Sequence, residues 1–231
     1  RAALRQAVRW RLIARAPTDD VTLPVGKAKV KAIWTPAEAR QFLASGDRTL
    51  FRFLLDSLCR LGEALALTWA DVDLEAGVVQ INATRTVAAD GSITTRSGTK
   101  AGESRRIELM PETVAALRRH RTGQLQQRLK CGPLWEEQGV VFERGDGHHY
   151  HPDTVRKELR RACRAAGVPE LTPHGLRHCG ATMAVAQGVP LHAVMQRLGH
   201  ANIGLTANLY AHHSPEADHE VAEALRRVLE G

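Results

Sequence analysis

Hydrophobic positions recur at helical intervals along most of this chain, interrupted once by a short alternating stretch. The spacing predicts a helix opening at Thr35-Pro36-Ala37-Glu38, with Thr35 as cap, Pro36 first and Glu38 third, and ending at Gly46. Asp47 is expected to cap a second helix that turns Leu50, Phe51, Phe53, Leu54, Leu55 and Leu58 inward. A long helix is predicted from Pro111 to Lys130, with Val114, Leu117, Leu125 and Leu129 as its apolar stripe and Gly123 marking a kink. Another runs from Pro152 to Ala166, placing Val155, Leu159, Ala162 and Cys163 inside, and stops at Gly167.

Three short helices follow: Pro173 to Gln187, Pro190 to Leu198, and a segment reaching Tyr210. Ser214-Pro215-Glu216 starts a last helix striped by Val221, Leu225, Val228 and Leu229. At the other end, residues 1–16 read as a basic helix with Leu4, Val8, Trp10, Leu12 and Ile13 on its apolar side. The alternating stretches are Val78 to Asn82 and Arg105 to Leu109, with turn signals at Gly77, Ala89-Asp90-Gly91-Ser92 and Ser97-Gly98. They predict a small antiparallel sheet of about three strands inside a mainly α fold. Gly139 to Phe142 reads as a short buried strand.

Composition narrows the choice. The 231 residues suffice for one sizeable domain with a small appendage. The net charge of +7 favours a polyanionic partner. Cys59, Cys131, Cys163 and Cys179 are scattered without a paired spacing, so they read as reduced thiols of a cytoplasmic protein. No apolar run approaches the roughly 20 residues of a membrane span, and no secretory leader is visible. The first residue is Arg1, and the chain reads as a fragment of something longer.

The candidate chemistry lies between residues 172 and 212. His174 and Arg177 are three apart on a helix opening at Pro173, so one face can present both. His200 follows Leu198-Gly199, and Tyr210 comes ten residues later. Arginine offers a planar fork matched to phosphate oxygens, and imidazole moves protons near neutral pH. A phenol is a weak nucleophile unless a base and positive charge assist it. The set suits attack by tyrosine on a phosphodiester. Any one of these residues by itself would read as an ordinary surface or helix-end group.

The pattern His174-x-x-Arg177, Leu198-Gly199-His200, Thr206-x-x-x-Tyr210-Ala211-His212 resembles the second box of the tyrosine recombinase (phage integrase) family. Leu58-Cys59-Arg60-Leu61-Gly62-Glu63 through Trp69, Asp71 and Asp73 is similar to its first box, except that Leu58 stands where the family usually has glycine. Lys100 precedes Arg105 by the spacing of the family's hairpin lysine, and Glu108 replaces a frequent proline.

The resemblance implies the catalytic domain fold of DNA breaking-rejoining enzymes and a 3′-phosphotyrosyl intermediate. It implies Tyr210 as nucleophile, Arg60, Arg177 and His200 on the phosphate, His174 as proton acceptor and Lys100 as proton donor. Glu63 and Trp69 read as structural. The expected division is 1–31, the last helix of a truncated core-binding domain plus a basic linker, and 32–231, the catalytic domain. The expected partner is double-stranded DNA, with self-association into a tetrameric synapse and exchange of the C-terminal helix. No cofactor and no metal are expected.

For DNA contact the sequence offers Lys27 and Lys29 in the linker, Arg105 at the strand start, and Arg156, Lys157 and Arg160 on the basic helix. The bland reading of each is a solvated charge. His148, His149 and His151 could instead seat zinc and make a metal-dependent nuclease, although no second ligand pair has matching spacing. The other rivals are a type IB topoisomerase and a non-catalytic DNA-binding relative.

Overall fold

The computed structural model describes residues 2–21, 32–88, 90–97 and 104–199. The chain divides into two compact units, 1–31 and 32–231. The first carries α1 (Ala2–Arg9), of which no residue is buried. The basic helix therefore ends well short of residue 16. Arg11 takes a positive φ of 58°, and Trp10 and Leu12 are exposed rather than on an apolar stripe. Eight residues without a buried face give little to propagate a helix.

The second unit opens with α2 (Pro36–Ala44) and α3 (Thr49–Ser57). The expected capping box forms at Thr35, whose Oγ1 accepts from Glu38 N at 3.2 Å while Glu38 Oε2 accepts from Thr35 N at 2.7 Å. Asp47 serves α3 by accepting from Thr49 N at 3.0 Å and from the Thr49 hydroxyl at 2.7 Å. Next come α4 (Leu61–Ala66), a 3-10 turn at Trp69–Asp71 and, among the described residues, five strands. These are β1 (Val72–Asp73), β2 (Val78–Ile81), β3 (Ala83–Val87), β4 (Ile93–Ser97) and β5 (Arg105–Glu108).

The strands form two sheets, not one. The first is antiparallel in the order β1-β2-β5, with Val79 opposite Ile107 and Ile81 opposite Arg105. Val79, Ile81 and Ile107 turn to the core from alternate positions. The second is the β3–β4 hairpin, which packs on α4.

α5 (Pro111–Cys131), α6 (Pro152–Ala166), α7 (Pro173–Ala186) and α8 (Leu191–Leu198) complete the described unit. The predicted stripe of α5 holds only in its first half. Leu117 is fully buried, but Leu125 and Leu129 are exposed, Leu129 at 83%. The core ends before the helix does, and the helix runs unbroken past Gly123.

Trp34, Phe42, Phe53, Leu54, Leu65, Leu117, Phe142, Leu159 and Leu176 centre the main core. Burying each such side chain contributes roughly 1.5–3 kcal/mol. Trp34 Nε1 also donates to the Pro169 carbonyl at 2.7 Å, and Gln41 donates to the Ala166 carbonyl at 2.8 Å. These bonds hold α2 against the end of α6. A second cluster of Leu58, Ala181, Val194 and Leu198 joins the end of α3 to α7 and α8. α7 crosses α3 closely enough that a Cβ at Gly180 would lie 2.4 Å from the Leu55 carbonyl oxygen.

Candidate active site

Arg60 enters the site because α3 stops and α4 starts around it. Leu58 closes α3 in the left-handed region, at φ 53° and ψ 23°. An L-residue with a Cβ is disfavoured there, and glycine is not. The departure from the family's glycine thus falls where the backbone would most readily use one. The buried Leu58 side chain, packed with Val194 and Leu198, offsets that cost.

Glu63 is the hub. It is 1% exposed, yet charged groups surround its carboxylate. Oε1 accepts from Arg60 Nη1 at 2.9 Å. Oε2 accepts from the Arg60 backbone at 2.8 Å and from Arg105 Nη2 at 2.7 Å. Burial pushes this carboxyl up, but the hydrogen bonds and charges of Arg105 and Arg60 outweigh burial and hold it below the ordinary value. The bridge from Arg60 to Glu63 is compatible with a functional arginine, since it fixes the guanidinium while using one of its nitrogens.

Arg177 is 3% exposed on α7. Its Nη1 donates to the Leu58 carbonyl at 2.5 Å and its Nη2 to the Leu198 carbonyl at 2.7 Å. Burial, then the nearby Arg60 charge, pulls its pKa down to about 10, which still leaves it cationic at neutral pH. His174 lies in the first turn of the same helix and is exposed. That turn is set by Thr172, whose Oγ1 accepts from Gly175 N at 3.0 Å. The predicted helix start at Pro173 is therefore the observed one.

α8 ends in Gly199 at φ 65°, the expected left-handed glycine immediately before His200. The last carbonyls of a helix lack intrahelical donors. Here guanidinium groups supply them: Arg177 at Leu198, and Arg105 Nε at the Arg197 carbonyl, 3.0 Å away. Positive charge at a helix C-terminus is also favourable for its dipole.

Arg60 and Arg105 thus hold one carboxylate, Arg177 lies within reach of its charge, and the cluster retains excess positive charge. It contains Arg60 and Arg177 as expected. Arg105, expected among the DNA contacts, is placed inward on Glu63 with its side chain 10% exposed. Arg156, Lys157 and Arg160 stand on the exposed face of α6, where Arg156 pairs with Asp153. Lys27, Lys29, Lys100, His200 and Tyr210 lie outside the described residues.

The three loop histidines have separate surroundings. His151 Nδ1 accepts from Asp153 N at 3.2 Å and caps α6, while His148 Nδ1 lies 3.4 Å from Asp146. His149 Nδ1 is buried with no hydrogen-bond partner among the described residues, and burial holds its pKa below the ordinary value. Among the described residues no group of three His, Cys, Asp or Glu side chains could hold a metal ion. An open groove of about 850 Å³ is lined by Val72, Leu74, Val78, Arg118, Arg121 and Leu125 among others, and not by the described candidates Arg60, His174 and Arg177.

Sequence reading missed Arg197 and Asp56. Arg197 donates through Nη2 to Asp56 Oδ1 at 2.7 Å and to the Glu108 carbonyl at 2.9 Å, joining α8 to α3 and β5. A cation in the last turn of α8 was a visible signal. Its partner, 141 residues away, was not.

The described part of the second unit is mainly helical with two small sheets, and it brings Arg60 and Arg177 together from distant parts of the chain. Solved structures share the fold. The Tn1549 transposon integrase in complex with a circular intermediate DNA matches with a TM-score of 0.77 at 22% identity, over 96% of this chain and 76% of that one. XerA recombinase matches with a TM-score of 0.63 at 22% identity, over 90% and 70%.

The phage integrase family profile matches residues 26–217, and the chain belongs to that family. A "Tyrosine recombinase XerC-like" protein of Caldanaerobacter subterraneus subsp. tengcongensis is 29% identical over 198 residues, 79% of this chain and 49% of the relative. The ICEBs1 integrase of Bacillus subtilis is 25% identical over 232 residues, 96% of this chain and 62% of the relative. The chain thus spans about half to three fifths of the length of these relatives. Among the described residues no helix is long and apolar enough to cross a membrane.

Proposed function

We propose that the chain is the catalytic part of a site-specific DNA recombinase or integrase. The observation that carries this reading is the cationic cluster of Arg60 and Arg177 around Glu63, together with membership of the phage integrase family.

In this reading the Tyr210 oxygen attacks a DNA phosphorus. A phosphorus–tyrosine bond forms on the 3′ side and the bond to the 5′ oxygen breaks. His174 takes the phenol proton, and Lys100 gives a proton to the departing 5′ oxygen. Arg60 and Arg177, with His200, hold the non-bridging oxygens and offset the charge that builds on phosphorus. The ester conserves the bond energy, so a second strand's 5′-hydroxyl reverses the step without a nucleotide cofactor. Arg177 is pre-organised for this task, since two backbone carbonyls already fix its plane.

Double-stranded DNA is the partner, gripped by the exposed Arg156, Lys157 and Arg160 of α6 and by Lys27 and Lys29 of the linker. Two further features are part of the proposal. Residues 1–31 end a core-binding domain, and four protomers assemble on DNA in the cytoplasm, exchanging C-terminal helices.

The test is covalent trapping. DNA that remains attached to the wild-type protein after denaturation is sequenced, and the recovered site is rebuilt as a nicked duplex. The wild-type chain should accumulate a covalent adduct on it, with EDTA present or absent. Tyr210→Phe should form none, and adduct formation at the wild-type level by that variant would refute the assignment.

A further inference from the structure

We propose that Arg105 is a positioning residue for phosphoryl transfer: one guanidinium that ties the carboxylate orienting Arg60 to the helix end preceding His200. The inference rests on the recombinase reading above. Arg105 Nη2 donates to Glu63 Oε2 at 2.7 Å, and the other oxygen of that carboxylate accepts from Arg60 Nη1 at 2.9 Å. Arg105 Nε donates to the Arg197 carbonyl at 3.0 Å. The adjacent Leu198 carbonyl takes its donor from Arg177 at 2.7 Å. Both phosphate-facing arginines are thus linked to the last turn of α8, Arg177 directly and Arg60 through Glu63 and Arg105.

Gly199 completes the arrangement. A Cβ there would lie 2.8 Å from Arg105 Nη1, so the backbone before His200 rests directly on this guanidinium. Arg105 Nη1 itself is buried and has no hydrogen-bond partner among the described residues. An unpaired buried donor forfeits its hydration without a replacement and is therefore costly. A side chain used only to grip DNA on the surface would avoid that cost. One used as an internal brace has to meet both of its acceptors at once. Arginine can do so because its donors diverge in a rigid plane. Lysine concentrates its donors on one atom and cannot span the same two acceptors.

The test compares Arg105→Lys with the wild type in the full chain, on the nicked duplex recovered by covalent trapping. Single-turnover cleavage by Arg105→Lys should be roughly 10–100-fold slower, as for other small displacements of a reacting constellation. Its DNA affinity and the salt slope of binding should stay at wild-type values, because its guanidinium is turned inward onto Glu63 and the Arg197 carbonyl. A second duplex carries a methylphosphonate at the scissile position, which removes one charged oxygen. On it the deficit should shrink, since an incorrectly held Arg60 matters less to a neutral phosphorus. A variant merely loosened in its fold would be slowed equally on both duplexes. Glu63→Gln breaks the same link from the other side and should reproduce the pattern. The double variant should be no slower than the worse single one.

Wild-type cleavage by Arg105→Lys, equal slowing on both duplexes, or a weakened, flatter salt dependence would each overturn the positioning role while leaving the recombinase reading in place. Failure of the wild-type chain to form any adduct would overturn the recombinase reading, and this inference with it.

Discussion

Arg177 Nη1 donates to the carbonyl of Leu58, a residue 119 positions earlier that closes its helix in the left-handed region. The bond joins the two family motifs directly. It also means that the unusual backbone at Leu58 aims a carbonyl at the buried arginine.

That geometry reverses the usual ranking of two substitutions. Leu58→Ala keeps the left-handed strain and empties a buried site, so it should destabilise by about 2–4 kcal/mol. Leu58→Gly empties the same site but relieves the strain, so it should be milder by about 1 kcal/mol. Urea denaturation of the two variants checks the order, and a Gly variant less stable than the Ala variant would contradict it.

Two glycines in helices should respond oppositely to alanine. At Gly180 a Cβ meets the Leu55 carbonyl at 2.4 Å, so Gly180→Ala should force α7 from α3 and cost about 1–3 kcal/mol. At Gly123 nothing lies within 4 Å, so Gly123→Ala should gain about 0.5–1 kcal/mol from helix propensity. Thermal melts of both variants distinguish steric contact from intrinsic preference.

Acid should expose the Glu63 pairing. An unpaired glutamate titrates near 4.5, and the folded Glu63 titrates lower. The unfolded chain therefore binds more protons in that window. The stabilisation is complete above pH 4.5 and disappears as pH falls through the folded value. Stability measured from pH 7 down to pH 3 should drop more steeply for the wild type than for Glu63→Gln. Parallel curves would show that the pairing adds no pH dependence.

The Arg197–Asp56 pair should behave as a coupled unit. Asp56 is buried, and it also accepts from Met110 N at 2.8 Å through its second oxygen. Arg197→Ala would leave that carboxylate without its charged partner. A double-mutant cycle with Asp56→Ala should return a coupling of about 1–3 kcal/mol. Additive effects would mean that the contact contributes nothing beyond its separate parts.

Much of the helical layout was legible from local chemistry. The capping box at Thr35, the proline-led starts of α2, α5, α6 and α7, and the glycines after α6 and α8 depend on residues a few positions apart. Local reading failed where burial was decisive. α1 ended early and α5 left Leu125 and Leu129 in solvent, because periodicity does not say whether a partner surface exists. The alternating strands were visible too, but their separation into a three-stranded sheet and a hairpin was not. Pairing partners are chosen by the hairpin's packing on α4, which no strand records in its own residues.

The box around Arg60 and the pattern His174-x-x-Arg177, Leu198-Gly199-His200, Thr206-x-x-x-Tyr210 sufficed to name the family, because each motif is short and local in the chain. What only the folded chain decided is which charges meet. Glu63 gathers Arg60 and Arg105 across 42 residues, Arg177 reaches back to Leu58, and Arg197 reaches Asp56. Such bonds depend on directions set by packed helices. Two side chains far apart in sequence carry no trace of their angle or distance until the core between them has formed.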